Sequence, residues 1–263
     1  MDHKWLEEQK EEIGLALAKQ GIRLVVPMGQ RPRKGATTSP DEDSTLASTI
    51  DHTLLKPTAS QEQISKLCEE ALHYHFASVC VNPVHVPAAA RFLQGSDVKV
   101  CTVIGFPLGA NSTLTKVLEA RDAVAGGAEE IDMVINIGSL LERDYAKVYS
   151  DIKGVRDAVP AQVLKVILET GYLSKEQIVR GCILSKMAGA DFVKTSTGFG
   201  PGGATVEDVS LMRDVVGPDC GVKASGGIRD LASATAMIKA GANRLGASSG
   251  IAIIEGLRGE ADY

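Results

Sequence analysis

Ala188-Gly189-Ala190-Asp191-Phe192-Val193-Lys194-Thr195-Ser196-Thr197-Gly198 holds in miniature the unit from which most of this chain is built. A glycine closes a helix-like segment, a short run of β-forming residues follows, and a loop of small polar residues comes after it. The run carries one lysine among apolar and small neighbours. An ammonium taken out of water loses much of its hydration free energy. Such a lysine therefore either pairs with a carboxylate or shifts towards its neutral, nucleophilic form. A second lysine, Lys223 in Cys220-Gly221-Val222-Lys223-Ala224-Ser225-Gly226-Gly227, holds the equivalent place in the next such run. Two neighbouring cations disfavour each other's charge, which is one route to an imine-forming lysine. Read alone, either lysine is better explained as a strand-end side chain reaching solvent. The rest of the chain has to decide.

Outward from that stretch the same unit recurs. Strand-like runs are Thr49-Ile50-Asp51, Ser78-Val79-Cys80-Val81, Lys99-Val100-Cys101-Thr102-Val103-Ile104, Ile131-Asp132-Met133-Val134-Ile135, Leu164-Lys165-Val166-Ile167-Leu168, Phe192-Val193-Lys194-Thr195, Gly221-Val222-Lys223-Ala224 and Arg244-Leu245-Gly246-Ala247. Helical patterns fill 60–74, 113–126, 141–159, 174–189, 205–215 and 230–240. Two of them open on Ser60-Gln61-Glu62-Gln63 and Ser174-Lys175-Glu176-Gln177, the signature of a capping box. Ala125-Gly126-Gly127-Ala128, Ala188-Gly189-Ala190 and Ala240-Gly241-Ala242 each place glycine between a helix and the next strand. Eight consecutive βα units predict an α/β fold closed as a (β/α)8 TIM barrel rather than an open doubly wound sheet, and no GxGxxG follows the first strand. The length of 263 residues suits one such barrel, for which about 250 is typical. Ahead of it, residues 4–20 read as an amphipathic helix with apolar residues at 6, 13 and 17. Val25-Val26-Pro27 follows, and 27–44 reads as a mobile linker whose basic cluster Gly29-Gln30-Arg31-Pro32-Arg33-Lys34-Gly35 is solvated. The expected division is 1–45 as N-terminal helix and linker and 46–263 as the catalytic barrel.

Composition removes several classes of function. A net charge of −5 argues against nucleic acid as a partner. The apolar runs fall short of the ~18 residues that span a bilayer. Five cysteines without a CxxC pair, and no secretory signal, read as reduced thiols of a soluble cytoplasmic protein. His73 and His75 fall in a helix, and His3, His52 and His85 lack partners at metal-ligand spacing, so no metal site is expected. His52 reads as a hydrogen-bonded rim residue.

In this fold chemistry sits at the C-terminal ends of the strands. The polar residues there are Asp51, Asp132, Lys165, Glu169, Lys194 and Lys223. Alternation puts Lys165, Ile167 and Glu169 on one face and Phe192, Lys194 and Ser196 on another. So many charges inside a barrel are costly unless mutually paired, and a purely structural ion network stands as the alternative reading. Three glycine-rich loops follow strands six, seven and eight: Thr197-Gly198-Phe199-Gly200-Pro201-Gly202-Gly203, Ser225-Gly226-Gly227-Ile228-Arg229 and Gly246-Ala247-Ser248-Ser249-Gly250. Their backbone amides suit a phosphate.

Phe192-Val193-Lys194-Thr195-Ser196-Thr197-Gly198-Phe199-Gly200, Val222-Lys223-Ala224-Ser225-Gly226-Gly227-Ile228-Arg229, Leu164-Lys165-Val166-Ile167-Leu168-Glu169-Thr170-Gly171 and Asp51-His52-Thr53-Leu54-Leu55-Lys56 together resemble the deoxyribose-phosphate aldolases, class I aldolases with a TIM-barrel fold. The similarity runs over about 46–258. It implies cleavage of 2-deoxy-D-ribose 5-phosphate to glyceraldehyde 3-phosphate and acetaldehyde, with no cofactor. By this resemblance Lys194 forms the Schiff base, Lys223 lowers its proton affinity and handles protons, and Asp132 is the acid/base aspartate. Lys165 and Asp51 belong to the supporting network, while Gly198, Gly226, Gly227, Gly246, Ser248 and Ser249 bind phosphate. It also implies a homodimer or homotetramer, and a C-terminal tyrosine, here Tyr263, that in some members returns to the site. A different class I aldolase, a transaldolase, or a non-catalytic sugar-phosphate-binding protein are the alternatives to test.

Overall fold

The computed structural model describes residues 2–22 and 45–259. Residues 25–44 and Tyr263, on which expectations were stated above, lie outside the described residues. Eight strands, β1 (Ile50–Leu54), β2 (Ser78–Val81), β3 (Lys99–Ile104), β4 (Glu130–Val134), β5 (Val163–Ile167), β6 (Phe192–Lys194), β7 (Gly221–Ser225) and β8 (Arg244–Ala247), pair in parallel in chain order. β8 returns to β1 and closes the barrel. Around it run α2 (Gln61–Tyr74), α3 (Val86–Phe92), α4 (Thr113–Ala125), α5 (Ile137–Leu141), α6 (Tyr145–Ala158), α7 (Lys175–Met187), α8 (Val206–Val216), α9 (Leu231–Lys239) and α10 (Gly250–Ile254), with α1 (His3–Lys19) preceding them. The fold is a (β/α)8 TIM barrel, as the repeated unit predicts.

Local chemistry explains most boundaries. Ser60 and Ser174 accept from the backbone N–H of Gln63 and Gln177, whose side chains accept in return from the cap N–H groups, so both expected capping boxes form. Gly127, Gly189 and Gly241 take positive φ, the left-handed turn that returns the chain to the next strand.

Four details differ from the sequence reading. The helix expected over 141–159 starts only at Tyr145, behind a separate short α5 that ends at Leu141, because Arg143 turns left-handed (φ 60) and Asp144 caps a new start by accepting from Lys147 N–H at 3.1 Å. α3, unexpected from the sequence, begins with Pro87 in its first turn, where the missing N–H costs nothing. Thr49 belongs to a 3-10 turn ahead of β1. His52 is buried on the outer face of β1, its Nε2 2.8 Å from Glu70 Oε2 on α2, and is not a rim residue. Its parity on the strand is opposite to that of Asp51.

The main apolar core lies between barrel and helices, built from residues such as Ile50, Ile131, Val166, Val193, Leu184 and Val209. Inside the barrel the apolar side chains include a small cluster of Leu55, Cys80, Cys101 and Val103, with Phe106 against it. They also include Phe192, whose ring lies 5.4 Å from the Arg244 guanidinium, and Ile167, on the parity of Lys165. What fills the remaining interior is charge. α1 lays Leu6, Ile13 and Leu17 against α6 and α7. Arg180 on α7 fastens it, its Nε donating to Gln9 Oε1 at 2.9 Å with Glu12 at 3.3 Å.

Candidate active site

Register brings the charged residues of separate strands to one level. Asp132 opposes Lys165 across β4 and β5, and Lys194 opposes Lys223 across β6 and β7. Asp51 on β1 closes the ring, opposite Gly246. All five side chains are buried. Lys194 and Lys223 both donate to Asp132 Oδ2, each at 2.8 Å, and Lys165 donates to Asp132 Oδ1 at 2.8 Å. Lys223 also pairs with Asp51, and Lys165 reaches Glu130 at 2.6 Å and Asp51 at 3.7 Å.

Three members of this network were missed in the sequence. Glu130 and Arg244 open their strands, and Arg244 Nη1 donates to Asp51 Oδ1 at 2.7 Å and to Glu130 Oε2 at 2.9 Å. The Cys101 thiol lies 3.2 Å from Asp132 Oδ1 and 3.3 Å from Lys165 Nζ. Only the tertiary parity of these positions turns them inward. Four cations (Lys165, Lys194, Lys223, Arg244) thus share three carboxylates in direct ion pairs (Asp51, Glu130, Asp132), with Glu169 farther off on the side of Lys194. Burial works against the Asp132 carboxylate, but Lys165, Lys194 and Lys223 overcome it and hold Asp132 well below the ordinary carboxylate range. Burial likewise disfavours the Lys223 ammonium, and Asp132 and Asp51 outweigh it, keeping Lys223 above the ordinary lysine range. Lys223 is therefore a firmly charged neighbour for Lys194. Among the three lysines Lys194 alone has any exposure, 3%, and it has a single carboxylate partner. Cys80, Cys101 and Asp132 bring potential metal donor atoms within 4.8 Å of one another, but Asp132 already accepts from three ammonium groups, which would repel a cation placed there.

Above the lysines the loops after β6, β7 and β8 form a cleft of ≈ 310 Å³ lined by Gly198, Gly200, Gly226, Gly227, Arg229 and Ser248, among others. Ala204 N–H donates to Gly226 O at 3.0 Å and zips the first two loops together. A Cβ on Gly226 would stand 2.9 Å from Gly203 Cα, so this approach needs glycine. Arg229, quoted in the motif but not expected in the site, adds a cationic side chain. Phe199, half-exposed, meets Phe106 edge-on at 5.4 Å and joins the loop after β6 to the loop after β3. Gly246 and Ser249, expected in the phosphate loops, lie off this lining. Ser249 is buried, packed against Gly259. Gly246 faces into the barrel, where an added Cβ would meet Lys223 Cε at 3.0 Å.

Residues 45–256 match the model of the DeoC/LacD family aldolases. The chain belongs to this family. A Clostridium perfringens protein named deoxyribose-phosphate aldolase is 60% identical over 219 residues, 83% of this chain and 98% of its own length. A solved structure from Coccidioides immitis has a TM-score of 0.80 at 45% identity and covers 94% of this chain and 96% of its own. The tetrameric deoxyribose phosphate aldolase of Aeropyrum pernix has a TM-score of 0.74 at 37% identity, over 80% of this chain and 89% of its own. The chain is accordingly an aldolase, a carbon–carbon lyase. Among the described residues no helix is long and apolar enough to cross a membrane.

One consequence for the aldolase concerns Gly246. If it makes room for Lys223 rather than binding phosphate, Gly246→Ala displaces Lys223 from Asp132 and lowers kcat about tenfold or more with KM little changed. Steady-state kinetics decide this, since a phosphate-loop role would raise KM instead.

Proposed function

We propose that this aldolase reversibly cleaves 2-deoxy-D-ribose 5-phosphate to D-glyceraldehyde 3-phosphate and acetaldehyde through a Schiff base on Lys194. The observation that carries this reading is the sharing of Asp132 Oδ2 by two buried lysines, of which Lys194 has the exposure and lacks a second carboxylate. Lys194 is thus the amine an incoming aldehyde meets, with the cationic Lys223 beside it.

Neutral Lys194 adds to the C1 aldehyde of the open-chain sugar, and loss of water leaves an iminium. The iminium bears the same single charge as the ammonium it replaces, so the surrounding network is undisturbed. Breaking the C2–C3 bond sends its electron pair through C1 to nitrogen and makes a neutral enamine. Asp132 loses one of its three cationic neighbours at that moment, and its affinity for a proton rises as the C3 hydroxyl releases one, directly or through water. Glyceraldehyde 3-phosphate departs. Reprotonation of the enamine at C2, with Asp132 and Lys223 as the relay, restores the iminium, and water releases acetaldehyde and Lys194. The loops at Gly198, Gly226, Gly227 and Ser248, with Arg229, hold the 5-phosphate. Lys165 and Asp51 keep Asp132 and Lys223 in place. The iminium does the polarising that a divalent ion would otherwise do.

The similarity to named deoxyribose-phosphate aldolases at 60% identity supports the substrate, and a tetrameric relative supports a homo-oligomer. A cytoplasmic role in deoxyribonucleoside catabolism completes the proposal. Sodium borohydride added with acetaldehyde or 2-deoxy-D-ribose 5-phosphate is expected to leave a reduced adduct on the peptide containing Lys194. Tight sugar-phosphate binding with no adduct would sink the Schiff-base reading.

A further inference from the structure

Glu169 belongs to none of the roles above, yet it is buried at the end of β5 with its backbone in the left-handed region (φ 58, ψ 63), uncommon for any residue but glycine. A side chain kept in such a place is held by what it touches. Thr197 N–H donates to Glu169 Oε1 and Oε2 at 3.3 and 3.2 Å, and the Thr197 hydroxyl donates to Oε2. That hydroxyl accepts in turn from Phe199 N–H at 3.0 Å. The next turn of the loop crosses directly over the carboxyl group, since a Cβ built on Gly200 would lie 2.7 Å from Glu169 Cδ. Beyond it, a Cβ on Gly171 would lie 3.1 Å from Gly202 N. Thr170 N–H donates to Thr195 O at 3.0 Å, tying the base of the same loop to the segment after β5. Residues 198–203 thus rest on Glu169 and its neighbours, and Thr197 is the link between this carboxylate and the strand that carries Lys194.

From this geometry we infer that Glu169 is a positioning residue that sets the height of the 198–203 loop above Lys194, and so sets the preference for a phosphorylated over an unphosphorylated sugar. The inference rests on the proposed role of that loop in holding the 5-phosphate. Burial pushes the Glu169 carboxyl up, while Thr197 and Lys194 draw it back. Its oxygens are spent on Thr197, which leaves it a holder of the loop and not a group that touches substrate.

The test compares wild type, Glu169→Ala, Glu169→Gln and Thr197→Val on 2-deoxy-D-ribose 5-phosphate and on 2-deoxy-D-ribose, with borohydride labelling of Lys194 by acetaldehyde run alongside. Glu169→Ala is expected to raise KM for the phosphorylated sugar about tenfold or more, with kcat/KM for the unphosphorylated sugar within about twofold of wild type. Thr197→Val should move the same way by less. Glu169→Gln, which keeps an oxygen for Thr197 N–H, should recover most of the loss. Equal losses on both sugars, or none on either, overturn the assignment. Should Glu169→Ala fail to fold, Thr197→Val decides alone, and the absence of a selective effect there overturns it equally. If wild type itself shows no preference for the phosphorylated sugar, or Lys194 takes no label, the phosphate or Schiff-base reading has failed and this inference falls with it, a result distinguished by needing no variant.

Discussion

Lys194→Leu is expected to lower turnover of 2-deoxy-D-ribose 5-phosphate by more than about 10⁴-fold, because without the amine no iminium can form to accept the electrons of the C2–C3 bond. The fold should survive. Lys194 has one carboxylate partner, and its removal leaves three cations (Lys165, Lys223, Arg244) facing three carboxylates. Removing one partner of a buried ion pair destabilises when it strands the other charge, but Asp132 keeps Lys165 and Lys223 as donors here, so no carboxylate is left unpaired. Circular dichroism and thermal unfolding near those of wild type, together with loss of the borohydride adduct, are the expected results. Retained turnover would refute the role given to Lys194.

Asp132→Asn should damage both activity and stability. Asp132 accepts from Lys165, Lys194 and Lys223, so the variant leaves four cations facing two carboxylates in a buried site. Breaking a buried ion pair by removing one partner costs about 3–5 kcal/mol. The loss of the proton acceptor should reduce turnover by roughly 10²–10⁴-fold. The stability deficit also has a defined pH window. Asp132 is held well below its unfolded value of ~3.9, so its contribution is full above that pH and is lost as pH falls towards the folded value. Lys223 is held above its unfolded value of ~10.4, so its contribution is full below that pH and is lost as pH rises towards the folded value. Urea unfolding should therefore find the deficit of Asp132→Asn widest between about pH 5 and 10 and narrowing on either side. A deficit that is flat from pH 2 to 11 would show that the damage is steric rather than electrostatic.

Burial alone does not single out a lysine for chemistry. Lys116 on α4 is as buried as any lysine here, yet it donates to Asp151 at 2.5 Å and to Val134 O at 2.9 Å and stays a structural ion pair. Its helix carries no local sign that this position is buried. Lys194 and Lys223 differ because they compete for one carboxylate oxygen.

Several features were legible before any coordinates because they depend on neighbours in the chain. Runs of β-branched residues mark strands, Ser60 and Ser174 mark helix starts, and glycine before each of three strands marks the returning turn. Eight repeats of that unit determine the barrel, and the barrel determines that polar residues inside or just after the strands, such as Asp132, Lys194 and Lys223, deserve weight. Alternation along a single strand is local, but which of its two faces turns inward, and the register between strands, are not. Whether His52 faces the barrel or α2, whether Glu130 and Arg244 point inward, and whether Gly246 serves phosphate or Lys223 all follow from how strands distant in sequence align. A shift of one residue along a strand reverses the face, and no local propensity distinguishes the two. The sequence by itself determined the architecture and the aldolase family. Only the tertiary structure decided that three lysines meet on Asp132 and that Glu169 supports the loop above them, because both depend on closing the barrel.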